Sequence, residues 1–388
     1  MKLITLSYYF KFKSLKTLLL VGLIVLANLS KINAQRNSNI KIHIGLIYPL
    51  SSNGVHAPLD TNDISFNLIG GVSSEENGFA FAGLTNVVRN NTHGTQFAGF
   101  SNHIGKKANG TLFAGFANTY HENNGVALAG FTNIAHGHVK GAQFAGFTNV
   151  AKSISGTQFA GFLNIATNVK DSQFAGFLNI ATNVKGTQMA GFMNKARDVN
   201  GSQFAGFINI ARKVKGTQIA GFINIAESSD CPIGILNFIK NGEKSLGLSI
   251  DENQTSMLTF RSGGRILYGI LAAGYNFKNT DEVYAFEAGF GAHFLQSNVF
   301  RISTELTAST LESFKDGTYF KASFKLLPSI KIIKHIELFG GPSINLTTTN
   351  TIEGKALARK TISTWQRGYS DFSQALTFGY SGGLNIIF

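Results

Sequence analysis

The middle of the chain alternates between two sets of side chains, and the alternation returns every 15 or 16 residues. Residues two apart lie on the same side of an extended backbone, so this pattern predicts a β-strand. The first set in one unit comprises Gln158, Ala160, Phe162, Asn164 and Ala166. The opposite set comprises Thr157, Phe159, Gly161, Leu163 and Ile165. Because the first set hardly changes from unit to unit, we expect it to form the interior.

Ten such units fill residues 78–227 and share the consensus GTQFAGFxNIAxxVK. The fifth, sixth and ninth positions are Ala, Gly and Asn in every unit. The eighth position instead changes gradually, from Thr85 in the first unit to Ile223 in the last. The units begin at Gly78, Gly94, Gly110, Gly125, Gly141, Gly156, Asp171, Gly186, Gly201 and Gly216.

Adjacent units look equivalent by translation, because residues 167–170 and 182–185 are identical and the turns show no odd-even alternation. Translation favours a β-solenoid, in which like residues stack about 4.8 Å apart. Small residues at the first, sixth and eleventh positions would form its corners, and the ninth-position asparagines would form an amide ladder. The alternative is an antiparallel meander, in which the units are strands of one continuous large barrel.

Residues 228–388 predict a second β structure, an antiparallel barrel of the outer-membrane type. The last strand ends at Phe388 with apolar residues at every second position, and upstream strands place Glu287 and Arg301 opposite rows of apolar residues. Apolar side chains outside and charges inside are typical of a membrane barrel, whereas a soluble sandwich would reverse them. Residues 35–77 hold two further strand patterns, which we expect to close the barrel against the last strand.

The first 34 residues have the pattern of an export signal, with lysines ahead of an apolar run at 18–26 and small residues near Ala34. We expect the mature chain to start at Gln35. No later segment has the roughly 20 apolar residues of a membrane-spanning helix, so a span would have to be β. Export and the barrel pattern together predict contact with outer-membrane lipid, in the outer membrane or at the cell surface of a Gram-negative-type bacterium.

The formal net charge is +13, and five lysines of the signal segment account for part of it. Residues 78–227 hold 12 Lys and Arg against four Asp and Glu, while the rest of the mature sequence is balanced. In a stack, four lysines that precede opening positions would form a basic row: Lys140, Lys170, Lys185 and Lys215. Such a row suits an anionic lipid or glycan better than nucleic acid, although a solvated edge that prevents aggregation is the simpler interpretation.

Two other features of the repeats could carry binding chemistry. His121 and His136 occupy the same position in consecutive units, with His138 close by, so stacked imidazoles could share a Zn²⁺ or Cu²⁺ ion, although turn histidines are more often solvated. Phenylalanine dominates the fourth and seventh positions. We expect one row in the core and the fourth-position row, which includes Phe159, to face lipid or a partner.

The sequence does not predict an enzyme. Ser303, Glu305, Glu287 and His293 could converge inside a barrel, but no catalytic spacing links them and polar residues are normal in that interior. No catalytic residue and no cofactor is predicted. The single cysteine, Cys231, excludes an internal disulfide, and we expect it to be a half-buried structural residue.

The repeats resemble a family of exported bacterial surface-repeat proteins with tandem Gly-x-Gln-x-Ala-Gly-x-x-Asn-x-Ala units. The resemblance covers residues 78–227, the preceding segments 48–51 and 67–71, and the following segment 232–236. It implies export but neither an activity nor catalytic residues. The sequence therefore predicts a non-enzymatic outer-membrane or surface protein whose repeats act as a scaffold or as a binding or adhesive surface. The alternative is a porin-like channel with the repeats in its wall.

Overall fold

A computed structural model describes residues 40–358, 360–366 and 372–388 of the chain. The predicted export signal at 1–34 lies outside these residues. Two β-sheets dominate the described part, one of 22 strands and one of nine.

The strands of the first sheet are β1 Ile42–Ile47, β2 Leu50–Ser51, β3 Thr61–Ser73, β4 Glu75–Ala82, β5 Thr85–Val88, β6 Thr92–Ala98, β7 Ser101–Ala114, β8 Ala117–Ala129, β9 Thr132–Ala135, β10 His138–Ala145, β11 Thr148–Ala160, β12 Leu163–Val169, β13 Ser172–Ala175, β14 Leu178–Val184, β15 Thr187–Ala190, β16 Met193–Lys195, β17 Asp198–Ala205, β18 Ile208–Ile210, β19 Lys213–Ala220, β20 Ile223–Ala226, β21 Ser228–Ile233 and β22 Leu236–Ile239. The strands of the second sheet are β23 Lys244–Asp251, β24 Thr255–Gly263, β25 Leu267–Asn276, β26 Tyr284–Phe294, β27 Phe300–Glu312, β28 Tyr319–Ile333, β29 Ile336–Thr349, β30 Thr361–Gln366 and β31 Ser373–Ile387. A 3₁₀-helix spans Gly54–Leu59, and a short helix, α1, spans Ile352–Leu357.

The repeats stack as parallel strands in register. Asn164 pairs with Asn179 and Val169 with Val184, so each coil follows the one before it after one repeat. This is the β-solenoid-like arrangement that the translational equivalence of the repeats predicts. The alternative of one continuous antiparallel barrel is wrong, because its strands would have to pair in opposite directions. A porin-like channel with the repeats in its wall would need that antiparallel barrel, so the structure does not provide the wall that this alternative requires.

Amides line much of the solenoid interior. In one coil the buried residues are Gln158, Ala160, Asn164, Ala166 and Val169. Each ninth-position asparagine donates from Nδ2 to Oδ1 of the next one at 2.9–3.0 Å. Because these bonds run unbroken, the buried amides are satisfied rather than left to cost stability. The ladder consists of Asn86, Asn102, Asn118, Asn133, Asn149, Asn164, Asn179, Asn194, Asn209, Asn224 and Asn237.

A second ladder joins the third-position glutamines from Gln143 to Gln218, each donating to the previous one at 2.7–2.9 Å. It starts on the hydroxyl of Tyr120, which accepts from Gln143 Nε2 at 2.7 Å. Tyr120 fills the space that Ala127 leaves where other coils carry glutamine, and burial raises the pKa of this tyrosine. The ladder ends where Pro232 pairs with Gln218, because proline has no amide side chain to continue it.

Glycine at the sixth position marks a corner where neighbouring coils come very close. A Cβ added to Gly161 would stand 2.1 Å from the carbonyl oxygen of Gly146 in the preceding coil. At the first position, Gly156 has a φ of +135°, in the region that other residues rarely adopt. The bend at the sixth position therefore depends on glycine, and glycine also occupies the first position of every unit except the one that begins at Asp171.

Eight antiparallel strands, β23–β29 and β31, close into a barrel, and β30 adds to the edge of β31. The closing pair is β23 with β31, in which Leu248 lies opposite Leu384. The expectation that residues 35–77 close the barrel is wrong. Their strands β1 and β3 pair in parallel, with Ile44 opposite Phe66, and begin the solenoid. Alternating apolar residues occur in solenoid coils as well as in barrel strands. The pattern in residues 35–77 therefore could not distinguish the two sheets.

The barrel has an apolar outer face and a charged lumen, as the alternation of its strands predicts. Leu306 and Phe324 are exposed on the outside. The ion pairs in the lumen include Arg261 with Glu305 at 2.7 Å, Lys325 with Glu287 at 2.7 Å, Lys321 with Asp251 at 2.6 Å, and Arg301 with both Glu243 and Glu337. Pairing satisfies charges that would be costly if buried alone.

The last coil packs against the outer wall of the barrel. Asn237, the final rung of the asparagine ladder, donates from its backbone to Ser262 Oγ at 2.9 Å and from Nδ2 to the Ser262 carbonyl at 3.0 Å. Ser262 faces outward, because its neighbour Arg261 points into the lumen toward Glu305. The barrel wall thus covers the end of the stack.

Candidate binding surface of the solenoid

Both rows of phenylalanine lie on the outside of the solenoid, so the expectation that one row forms the core is wrong. The rings from Phe100 to Phe207 at the seventh position are 37–49% exposed. The cause is a bend: strand β11 ends at Ala160 and β12 begins at Leu163, so Phe162 sits on the corner and points outward. Small side chains and the amide ladders fill the interior instead.

The rings of the seventh position form one continuous stack along the solenoid. Consecutive ring centroids are 4.8–5.3 Å apart and the planes differ by 2–17°. This spacing follows the rise of about 4.8 Å per coil. The stack consists of Phe100, Phe116, Phe131, Phe147, Phe162, Phe177, Phe192, Phe207 and Phe222.

A shallow apolar groove of about 820 Å³ runs along the fourth, fifth and sixth positions, from Ala98 to Gly191. Its wall is the fourth-position row, in which Phe144 and Phe159 stack at 5.0 Å. The fourth-position row thus lies on the outside of the solenoid, as the sequence predicts, but the groove beside it was not anticipated. The constant Ala-Gly pair next to phenylalanine is the signal that could have pointed to it.

The predicted basic row lies on the same strand face as the fourth-position phenylalanines. In β10, Lys140, Ala142 and Phe144 alternate outward on one strand. Lys140, Lys170, Lys185 and Lys215 are all exposed. Among the described residues none of the four forms an ion pair.

Asp198 neutralises an arginine of the next coil. Arg212 contacts Asp198 at 2.7 Å, and its hydrogen bond holds the pKa of that carboxyl below the usual range. Arg212 therefore differs from Lys140, Lys170, Lys185 and Lys215, for which no ion pair is found among the described residues.

The histidines predicted as metal ligands lie on neighbouring coils of the solenoid. Ala135 pairs with Tyr120, so His136 follows His121 on the next coil, and both are exposed. Within the part of the chain that the structure describes, no group of three His, Cys, Asp or Glu side chains is arranged to hold a metal ion. The metal site at His121, His136 and His138 stays a prediction.

The barrel lumen brings together the polar residues weighed for catalysis. His293 Nδ1 lies 2.8 Å from Ser303 Oγ, and both line a small cavity with Glu305. Glu305 is already held by Arg261 and by the Tyr268 hydroxyl at 3.0 Å, and Glu287 by a lysine. Each carboxylate therefore has a partner that accounts for its burial.

No protein-family model, curated protein or solved structure matches this chain. The resemblance to exported surface-repeat proteins therefore stays a prediction. In the residues that the structure describes, no helix is long and apolar enough to cross a membrane.

Proposed function

We propose that the protein is a non-enzymatic outer-membrane protein, in which the barrel is the anchor and the solenoid is a scaffold and binding module. The observation that carries this proposal is the inverted barrel wall, with exposed Leu306 and Phe324 outside and buried Arg301 and Glu305 inside. Water would penalise such a wall, whereas lipid stabilises it. Strands of 8–15 residues suit the roughly 9–11 needed to cross a bilayer at a tilt.

The filled lumen favours an anchor over a channel. The cavities between the lumen ion pairs include three of about 30, 10 and 10 Å³. A cavity of that size holds about one water. A porin-like function would need an open path, so the proposal does not include transport.

The lengths of the connections between barrel strands favour a periplasmic location for the solenoid. The barrel end that contacts the solenoid has the short connections 264–266, 295–299 and 334–335. The other end carries the short connection 252–254, the longer connections 277–283 and 313–318, and the segment between β29 and β31 that contains α1 and β30. Outer-membrane barrels place short turns in the periplasm and long loops outside the cell. An adhesive role at the cell surface is the second candidate, and it requires the reverse orientation.

If the barrel is a membrane anchor, a charge introduced on its outer wall lowers the stability of the barrel in lipid. Leu306 lies mid-strand and is 63% exposed, so Leu306→Arg is expected to destabilise the lipid-inserted barrel by about 2–4 kcal/mol. Urea unfolding in lipid vesicles, followed by the gel mobility of unheated samples, measures this loss. Phe314→Arg is the matched control, since Phe314 is 73% exposed in a connection outside the wall. Equal stability of both variants would contradict the anchor.

The orientation is tested by labelling intact cells with a membrane-impermeant maleimide in a Cys231→Ser background. Asp316→Cys lies in a long connection and should be labelled directly. Thr167→Cys lies on the exposed polar surface of β12 and should be labelled only after the outer membrane is permeabilised. Labelling of the Thr167 site in intact cells would support the adhesive role instead.

A further inference from the structure

The outer surface of the solenoid is apolar around one corner only. In the coil of residues 201–215, Phe207 stands at the corner, Phe204 lies on one flank, and Ile208 and Ile210 lie on the other. The remaining positions are polar and include exposed Lys215. The coil is thus amphipathic in cross-section, in the way that segments at a lipid surface are.

This apolar region widens toward the barrel. In the five coils far from the barrel, the eighth position carries Thr85, Ser101, Ala117, Thr132 and Thr148. In the five near coils it carries Leu163, Leu178, Met193, Ile208 and Ile223. We call the residues at positions 4, 7, 8 and 10 of residues 156–227 the apolar wedge. Lys195 interrupts it, but a lysine can keep its ammonium in water while its stem lies on apolar surface.

The broad end of the wedge meets the apolar wall of the barrel. Ile235 continues the row of Phe222, and its carbonyl oxygen lies 2.2 Å from where a Cβ on Gly269 would stand. Gly269 faces outward and pairs with exposed Phe290. The apolar corner of the solenoid and the outer wall of the barrel are therefore continuous.

The polar edge of the same coil, which includes Asp230 and Cys231, contacts the barrel nearer to the barrel end. Asp230 and Cys231 share a cavity of about 520 Å³ with Gly264 and Arg265, which form the turn between β24 and β25. Gly269 lies three residues beyond this turn, roughly 10 Å along the strand at about 3.3 Å per residue. The apolar corner thus reaches further from the barrel end than the polar edge does.

We propose that the apolar wedge lies in the lipid leaflet beside the barrel, with Lys170, Lys185 and Lys215 at the level of anionic head groups. Apolar area and unpaired positive charge both favour an anionic lipid surface, and the barrel holds the wedge beside that surface. This inference rests on the proposed function, because it needs the barrel in the membrane. It assigns the solenoid a lipid-contacting edge rather than a free surface.

Site-directed quenching tests the proposal on the full chain. Single cysteines in a Cys231→Ser background are labelled with the fluorophore NBD, and the protein is placed in nanodiscs of phosphatidylcholine and phosphatidylglycerol with doxyl-labelled lipid. Leu306→Cys reports the barrel, and Phe207→Cys reports the wedge. Phe116→Cys is the matched control, since Phe116 and Phe207 share the seventh position and are 40% and 41% exposed. Thr167→Cys reports the polar surface of the solenoid, and amide exchange confirms that each labelled coil remains folded.

Quenching is expected at the Leu306 and Phe207 sites, and roughly threefold less at the Phe116 and Thr167 sites. No quenching at Leu306 would overturn the proposed function itself. Quenching at Leu306 with no excess at Phe207 over Thr167 would overturn the wedge alone, and equal quenching at Phe116 and Phe207 would overturn its restriction to the near coils. Discs without phosphatidylglycerol should weaken the Phe207 signal several-fold and leave that of Leu306 unchanged, and an unaltered Phe207 signal would overturn the role of the lysines.

Discussion

Asn164→Asp is expected to unfold the centre of the solenoid at neutral pH. Asn164 donates to the Phe174 carbonyl at 2.7 Å and to Asn179 Oδ1 at 3.0 Å, and a carboxylate cannot donate to either. Two buried acceptors left without donors cost about 1–3 kcal/mol each. The buried charge adds to this loss, so the substitution should exceed the effect of an ordinary core truncation.

The same variant should recover stability in acid. Burial among acceptors raises the pKa of the new carboxyl above its value in the unfolded chain, so the folded state binds the proton more tightly. The penalty is then small below the unfolded pKa, near about 4, and grows as the pH rises through the raised value. Amide exchange of residues 149–180 at about pH 4 and about pH 8 measures this difference.

Asn168→Asp provides the control, because Asn168 is an exposed asparagine of the same coil and accepts from Asn183 at 2.8 Å. Its carboxylate remains solvated, so protection from exchange should change little at either pH. Equal losses in the two variants, or a loss at Asn164 that ignores pH, would contradict the ladder as a source of stability.

Gly161→Ala is expected to break the stack between two coils. Its methyl group would stand 2.1 Å from the Gly146 carbonyl oxygen, and Gly176 approaches Gly161 in the same way from the next coil. The coils can relieve the clash only by separating, which strains the hydrogen bonds and rings on both sides. Overpacking in rigid cores costs about 1–3 kcal/mol and sometimes more, and here the obstacle is backbone.

The readout for Gly161→Ala is amide exchange along the whole solenoid, which should accelerate in the coils on both sides of the substitution. Gly382→Ala in the barrel is the comparison, because its added methyl would meet nothing closer than 3.4 Å. Unchanged protection from amide exchange around residue 161 would contradict the close approach of the coils at this corner.

The sequence predicts the stacked solenoid and the two faces of the barrel because both depend on repetition. Identical neighbouring coils favour like-with-like pairing, so the Asn164 ladder follows from position alone. The alternation around Glu305 and Leu306 likewise assigns each side chain to a face once the sense of the barrel is chosen.

Features that depend on bends or on distant contacts could not be predicted in this way. Alternation assigns Phe162 to the interior, but the corner after Gly161 turns it outward. Strand patterns in residues 35–77 do not reveal which sheet receives them. The groove beside Phe159 is formed by several coils together, and no single repeat contains it.

Because the ladders repeat once per coil, the solenoid can be shortened or lengthened by whole coils. Removing residues 171–185 would join Lys170 directly to Gly186 and restore the same register with one coil fewer. The Tyr120 start of the glutamine ladder and the Asn237 contact with the barrel would both remain. Gene duplications or deletions of one unit could therefore change the reach of the protein in steps of about 4.8 Å without redesigning either end.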